Sequence, residues 1–151
     1  MDYYSEIKNE LINNEIYKKV KDYSKNRSDL NTYYNVGKLL IEAQGGEDRA
    51  KYGDNLIKEY SKKLTMELGK GYTTSALKRM RQFYLLIIKG ATLWHQLSWS
   101  HYRELLKIKD INKVNYYIKI SKEQNLSVRE LRERIKSKEI HARILRHKPL
   151  R

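Results

Sequence analysis

Gly69-Lys70-Gly71-Tyr72-Thr73-Thr74-Ser75-Ala76-Leu77-Lys78-Arg79-Met80-Arg81-Gln82-Phe83-Tyr84 decides the fold of this chain. Just before it, Tyr52, Leu56, Tyr60 and Leu64 recur every four residues, which predicts a helix over 50–68. The glycines then mark a tight corner, and Thr73 or Thr74 supplies a hydroxyl to cap the next helix. Leu77, Met80, Tyr84, Ile87 and Ile88 form the predicted apolar stripe of that helix, with Lys78, Arg79, Arg81 and Gln82 on its outward, N-terminal part. Helix, glycine corner, polar cap and basic helix is the outline of a helix-turn-helix, although plain helical hairpins share it.

Working outward, the same periodicity predicts about seven helices. Ile7, Leu11, Tyr17 and Val20 set the stripe of a first helix over 5–24; Tyr33, Val36, Gly37 and Leu40 set that of a second over 29–43, which Gln44-Gly45-Gly46 ends. Beyond Gly90, Ser98 caps a short fifth helix, and Asp110 starts a sixth over 111–123 with Val114, Tyr117 and Ile118 inward. Ser127-Val128-Arg129-Glu130 is a capping box, in which hydroxyl and carboxylate satisfy each other's backbone donors. The seventh helix is predicted to run from Val128 to Leu145, burying Val128, Leu131 and Ile135 and carrying Arg129, Arg132, Arg134, Lys136 and Lys138 over its first turns. The expected architecture is all-α, a single compact domain of six to seven helices over 1–146 with helix-turn-helix-like pairs and a flexible end over 147–151.

Composition agrees. The 151 residues include seven Gly and one Pro, which suits helices joined by short turns better than a sandwich or barrel. No Cys is present, so disulfides and thiolate zinc sites are excluded; the simple reading of compartment is cytoplasmic. No apolar run approaches the roughly 18 residues that span a bilayer, so no membrane role is expected. The net charge of +14 is unevenly spread: residues 1–72 hold 13 Lys/Arg and 12 Asp/Glu, whereas residues 73–151 hold 19 and 6. A field of one sign concentrated on part of a small domain attracts polyanions, and neutralised phosphates release counterions that drive binding.

Catalytic chemistry finds little support. His95, His101, His141 and His147 include no pair at one-turn spacing, so no metal site and no cofactor is predicted. His101 and Glu104 sit three residues apart, but no nucleophile accompanies them, and both read as structural. Glu6-Ile7-Lys8 lacks the second acidic ligand that a metal-dependent nuclease needs. Gly69-Lys70-Gly71-Tyr72-Thr73 lacks the spacing and the preceding strand of a phosphate loop.

Two elements carry a resemblance. Leu97-Ser98-Trp99-Ser100-His101-Tyr102 with Leu105-Leu106, and Ser127-Val128-Arg129-Glu130-Leu131 with Ile135, follow Val36-Gly37-Lys38-Leu39-Leu40, Tyr52-Gly53 and Gly69-Lys70-Gly71-Tyr72 in an order that resembles the helical N-terminal domain of bacterial YhcG-type proteins, over residues 30–140. A fainter likeness is to the helix-turn-helix region of ParB partition proteins. The first resemblance implies a helical module that precedes a PD-(D/E)XK, restriction-endonuclease-like domain. This chain stops where that domain would begin, so nuclease activity is not expected of these residues.

The reading reached from sequence is a non-catalytic, DNA-binding helical domain that contacts phosphates through basic helices 74–89 and 127–145. The expected contacts are Lys78, Arg79, Arg81, Arg129, Arg132, Arg134 and Lys136. Double-stranded DNA is the expected partner, with RNA not separable by sequence. A homodimer is allowed, although no heptad seam predicts one. The alternative is a protein-interaction module that docks on a nuclease subunit or on a mobile-element or phage-defence component of a bacterium or phage. Trp99 and His101 are expected in the core, pinning the fifth helix, rather than as a stacking platform for bases.

Overall fold

A computed structural model describes residues 1–20 and 25–137, with side chains outside 17–28. The described residues form seven α-helices: α1 (Tyr3–Val20), α2 (Lys25–Gln44), α3 (Ala50–Leu68), α4 (Thr74–Ile88), α5 (Trp99–Leu105), α6 (Ile111–Gln124) and α7 (Val128–Lys136). The expected all-α class is what folds, and no strand occurs among the described residues. The predicted extension of α7 to Leu145, the end at 147–151, His141 and His147, and the side chains of Tyr17 and Val20 lie outside the described residues.

Helix starts follow local chemistry. Thr73, Ser98, Asp110 and Ser127 each accept a backbone N–H of the following first turn through a side-chain oxygen. Each such cap contributes about 1 kcal/mol by satisfying a donor that the helix cannot. Asn125, the one described non-glycine residue with positive φ, ends α6 in the left-handed conformation.

α2 and α4 are the spine. Leu30 at the start of α2 and Phe83 and Leu86 in the second half of α4 join one apolar cluster with Leu97, Tyr102, Leu105, Val114, Tyr117 and Leu131. Val36 and Leu40 further along α2, and Leu77 and Met80 at the start of α4, join a second with Ile7, Leu11, Ile57, Tyr60 and Leu64. The two helices therefore run antiparallel, each linking both clusters. They approach at Gly37, where any Cβ would collide with the Met80 carbonyl and the Tyr84 Cβ.

Two predicted stripes are rotated. In α4 the buried row is Leu77, Met80, Phe83 and Leu86, while Ile88 is exposed and Tyr84 and Ile87 are half-buried. The run Phe83–Ile88 is apolar on every side, so periodicity alone does not choose its inner face. Packing chooses it: the Phe83 ring meets Trp99 at 5.2 Å and Tyr102 at 5.1 Å, both edge-on. In α3 the buried residues are Gly53, Ile57, Tyr60, Ser61 and Leu64, and Tyr52 is exposed. A strict spacing of four drifts about 40° per step around a helix of 3.6 residues per turn, so Tyr52 is carried off the face that holds Leu64.

Candidate nucleic-acid interface

The basic second half is organised around α5, and two reciprocal caps set it in place. The Ser98 hydroxyl oxygen accepts the His101 N–H at 3.2 Å, while His101 Nδ1 accepts the Ser98 N–H at 3.2 Å. An accepting Nδ1 puts the ring proton on Nε2, which donates to the Leu126 carbonyl at 2.9 Å. One histidine thus caps α5 and ties it to Leu126, the residue before the Ser127 cap of α7. Ser127 and Glu130 make the second reciprocal cap, with both bonds at 3.1 Å. From the same turn of α5 the buried Tyr102 hydroxyl donates to the Thr92 carbonyl and accepts the Trp94 N–H, each at 2.7 Å. Burial pushes this phenol up to about 12. Trp99, half-buried at the edge of the first cluster, packs its ring on Tyr33 and Phe83 at centroid distances of 4.8 and 5.2 Å.

With α5 fixed against α7, a cleft of about 720 Å³ opens between α4, α5 and α7. Arg79, Arg103, Lys107 and Arg132 line it, with Gln82 and Ser100 as neutral polar groups and Leu106 and Val128 as apolar ones. Its carboxylate is Glu104, whose side chain is only 7% exposed. Arg132 Nε donates to Glu104 Oε1 at 2.7 Å, and Lys107 Nζ donates to Oε1 at 3.1 Å and Oε2 at 2.9 Å. Burial pushes the Glu104 carboxyl up, but the bonds from Arg132 and Lys107 outweigh it and hold the group below its ordinary value. Arg79 is lowered from its ordinary value, first by burial and then by the positive charge of Arg103. The cleft thus has four cations against one anion.

The residues predicted as contacts divide into three groups. Arg79 and Arg132 line the cleft. Arg129 and Lys136 are exposed on α7, while Arg134 donates to Gln124 at 2.9 Å. Lys78 and Arg81 face α3: Lys78 lies 3.9 Å from Asp54, and Arg81 donates to Asp54 at 3.0 Å and to Gln44 at 3.1 Å with its side chain 12% exposed. Arg81 is therefore a strut joining α2, α3 and α4, seated over Gly53, where a Cβ would come within 2.7 Å of its Nη1. The hydrogen bond from Arg81, followed by nearby Lys78, keeps the Asp54 carboxyl below its ordinary value.

Arg103 and Lys107 were not among the predicted contacts. Their signal is a spacing of four, with Arg103 on α5 next to Glu104 and Lys107 just past the Leu106 that ends α5, but α5 reads first as the core-facing segment of Trp99, Tyr102 and Leu105. His95 meets Asn31 at 2.9 Å, and among the described residues no three His, Asp or Glu side chains gather as a metal centre would need. No described helix is long and apolar enough to cross a membrane.

These features define an all-helical domain with a cation-rich cleft at the junction of three helices. The sequence pattern of the DUF1016 N-terminal domain matches residues 7–143, and the chain belongs to that family. It is similar to the Escherichia coli (strain K12) protein named "Putative nuclease YhcG", with 29% identity over 149 residues that cover 77% of this chain and 40% of the relative. The chain therefore spans less than half the length of that curated relative. No solved structure matches the chain significantly.

Proposed function

We propose that this domain, taken as one unit over 1–146, binds double-stranded DNA without catalysing its cleavage, holding backbone phosphates on α4, α5 and α7. The observation that carries the reading is the convergence of Arg79, Arg103, Lys107 and Arg132 from different elements on one cleft whose carboxylate offsets only part of their charge. A guanidinium fork matches the oxygens of a phosphate, and several cations gathered on one cleft favour an anion there. Arg129, Arg134 and Lys136 extend the positive surface along α7, while Lys78, beside Asp54, adds a further cation on the side of α4 that faces α3. Arg81 serves by holding α3 and α4 together.

Phosphate contacts position a protein without reading sequence, so the binding is expected to follow shape and charge more than base order. The relative's printed name, "Putative nuclease YhcG", fits a nucleic-acid partner, and on this reading catalysis falls to residues outside this domain. On this reading the protein works in the bacterial cytoplasm, where the chromosome lies. Electrophoretic mobility shift with a random duplex tests the reading: binding at low salt should weaken steeply as salt rises and weaken again in an Arg129→Ala/Arg132→Ala variant. A folded protein that shifts no duplex at low salt rules the reading out.

A second reading, docking on a protein such as a nuclease subunit, is favoured by one observation. Leu85, Leu86, Leu106, Ile108 and Ile111 line a groove of about 320 Å³ beside the cleft, between Lys89 and Lys109. Docking through that groove would be nearly insensitive to salt, which separates it from phosphate binding.

A further inference from the structure

We propose that the cleft between α4, α5 and α7 is a seat for one phosphate group, gripped between the guanidiniums of Arg79 and Arg103 and shaped by the pairing of Glu104 with Arg132 and Lys107. The inference rests on the DNA-binding reading and deepens it by assigning the point of grip, including Arg103, which sequence did not single out.

The charges of the cleft are not equivalent. Both oxygens of Glu104 are engaged, Oε1 by Arg132 and Lys107 and Oε2 by Lys107, so its negative charge is committed to those two cations. Arg79, from α4, and Arg103, from α5, line the same cleft, and no second carboxylate lines it with them. The positive charge of Arg103 disfavours the charged form of Arg79 while the cleft is empty, a repulsion that solvent at exposed Arg103 moderates. An anion between them converts that repulsion into two attractions. A phosphate suits the place because its non-bridging oxygens accept paired N–H donors from each guanidinium, with Ser100 and Gln82 in the lining as neutral donors.

Glu104 is a positioning residue. It keeps Arg132 folded against α5 and leaves the remaining positive charge to Arg79 and Arg103. The phosphate has two possible sources of one chemistry, an internal diester of the DNA backbone or the terminal monoester of a strand end.

The test is fluorescence anisotropy with three labelled duplexes of one sequence: 5′-phosphorylated, 5′-hydroxyl, and closed at both ends by hairpin loops. Wild type is compared with Arg79→Gln/Arg103→Gln, with the charge-keeping Arg79→Lys/Arg103→Lys, and with Arg103→Glu at an exposed position that leaves the core untouched. The proposal expects the double Gln variant, folded by circular dichroism, to bind about tenfold more weakly, with a salt slope shallower by about 1. Arg103→Glu should lose at least as much, and the double Lys variant less. Equal losses on all three duplexes identify an internal diester; a preference for the 5′-phosphate that vanishes in the double Gln variant identifies a strand end. Wild-type affinity and slope in both the double Gln variant and Arg103→Glu overturn the phosphate seat while leaving DNA binding standing. Failure of the wild type to bind any duplex at low salt overturns the DNA-binding reading itself.

Discussion

Glu104 on α5 and Arg132 on α7 are joined across 28 residues of sequence by a 2.7 Å hydrogen bond to a carboxylate almost wholly withdrawn from water. The pair fixes how α7 lies against α5 and thereby where the basic face of α7 points.

Acid should release this contact. The Glu104 carboxyl is held below its ordinary value of 4.5 in the folded protein, so its contribution to stability is complete above that value and is lost as pH falls from about 4.5 through the lower folded value. Thermal melts over pH 3–7 should show a slope in that acid range that is smaller in Glu104→Gln. At neutral pH the same variant should be less stable by only about 1–2 kcal/mol, because Arg132 and Lys107 are mostly exposed and regain solvent when the anion is removed.

Alkali acts on Tyr102. Its phenol is raised to about 12 by burial, so the stability it confers is present below the ordinary 10.0 and is lost as pH rises from there through about 12. Tyr4 is raised to about 12 as well, so ultraviolet titration should find late-ionising tyrosines whose amplitude falls by one residue in Tyr102→Phe. That variant leaves the Trp94 N–H without its 2.7 Å acceptor and should cost about 1–3 kcal/mol.

Glycine to alanine inside a helix ordinarily stabilises by about 0.5–1 kcal/mol. Gly37→Ala should do the reverse, costing about 1–3 kcal/mol in urea denaturation, because the new methyl group meets the backbone of Met80. Gly53→Ala should cost less, since its obstacles are the ends of the Gln44 and Arg81 side chains, which are able to shift.

Arg81→Ala separates structure from binding. Loss of the bonds to Asp54 and Gln44 should lower the melting temperature, yet the affinity of the folded fraction for a random duplex should change less than twofold. A tenfold loss of affinity with an unchanged melting temperature would move Arg81 back among the phosphate contacts.

Local chemistry made the helix starts legible. Thr73, Ser98, Asp110 and Ser127 act on backbone donors two or three residues away, so sequence alone contains both partners. Inner faces were less legible where the signal was uniform: Phe83–Ile88 is apolar all round, and two aromatic rings of α5, Trp99 and Tyr102, choose its orientation. The cleft was half-legible. Arg79 and Arg132 stood out as basic residues on amphipathic helices, but the carboxylate that organises the cleft, and the Arg103 beside it, come together only through the packing of α5 on α7. The structural reason for the Tyr52-Gly53 and Val36-Gly37 elements is equally tertiary, since each glycine makes room for a group more than 25 residues away or on another helix.

The central claim is that this domain holds DNA by its phosphates. Its most direct test is the equilibrium affinity for a random-sequence duplex, measured from low to physiological salt. The account predicts binding at low salt, with log affinity falling linearly against log salt at a slope of about −0.9 for each phosphate contacted, whatever the base sequence. A folded protein that binds no duplex at low salt, or whose affinity is indifferent to salt, would contradict it.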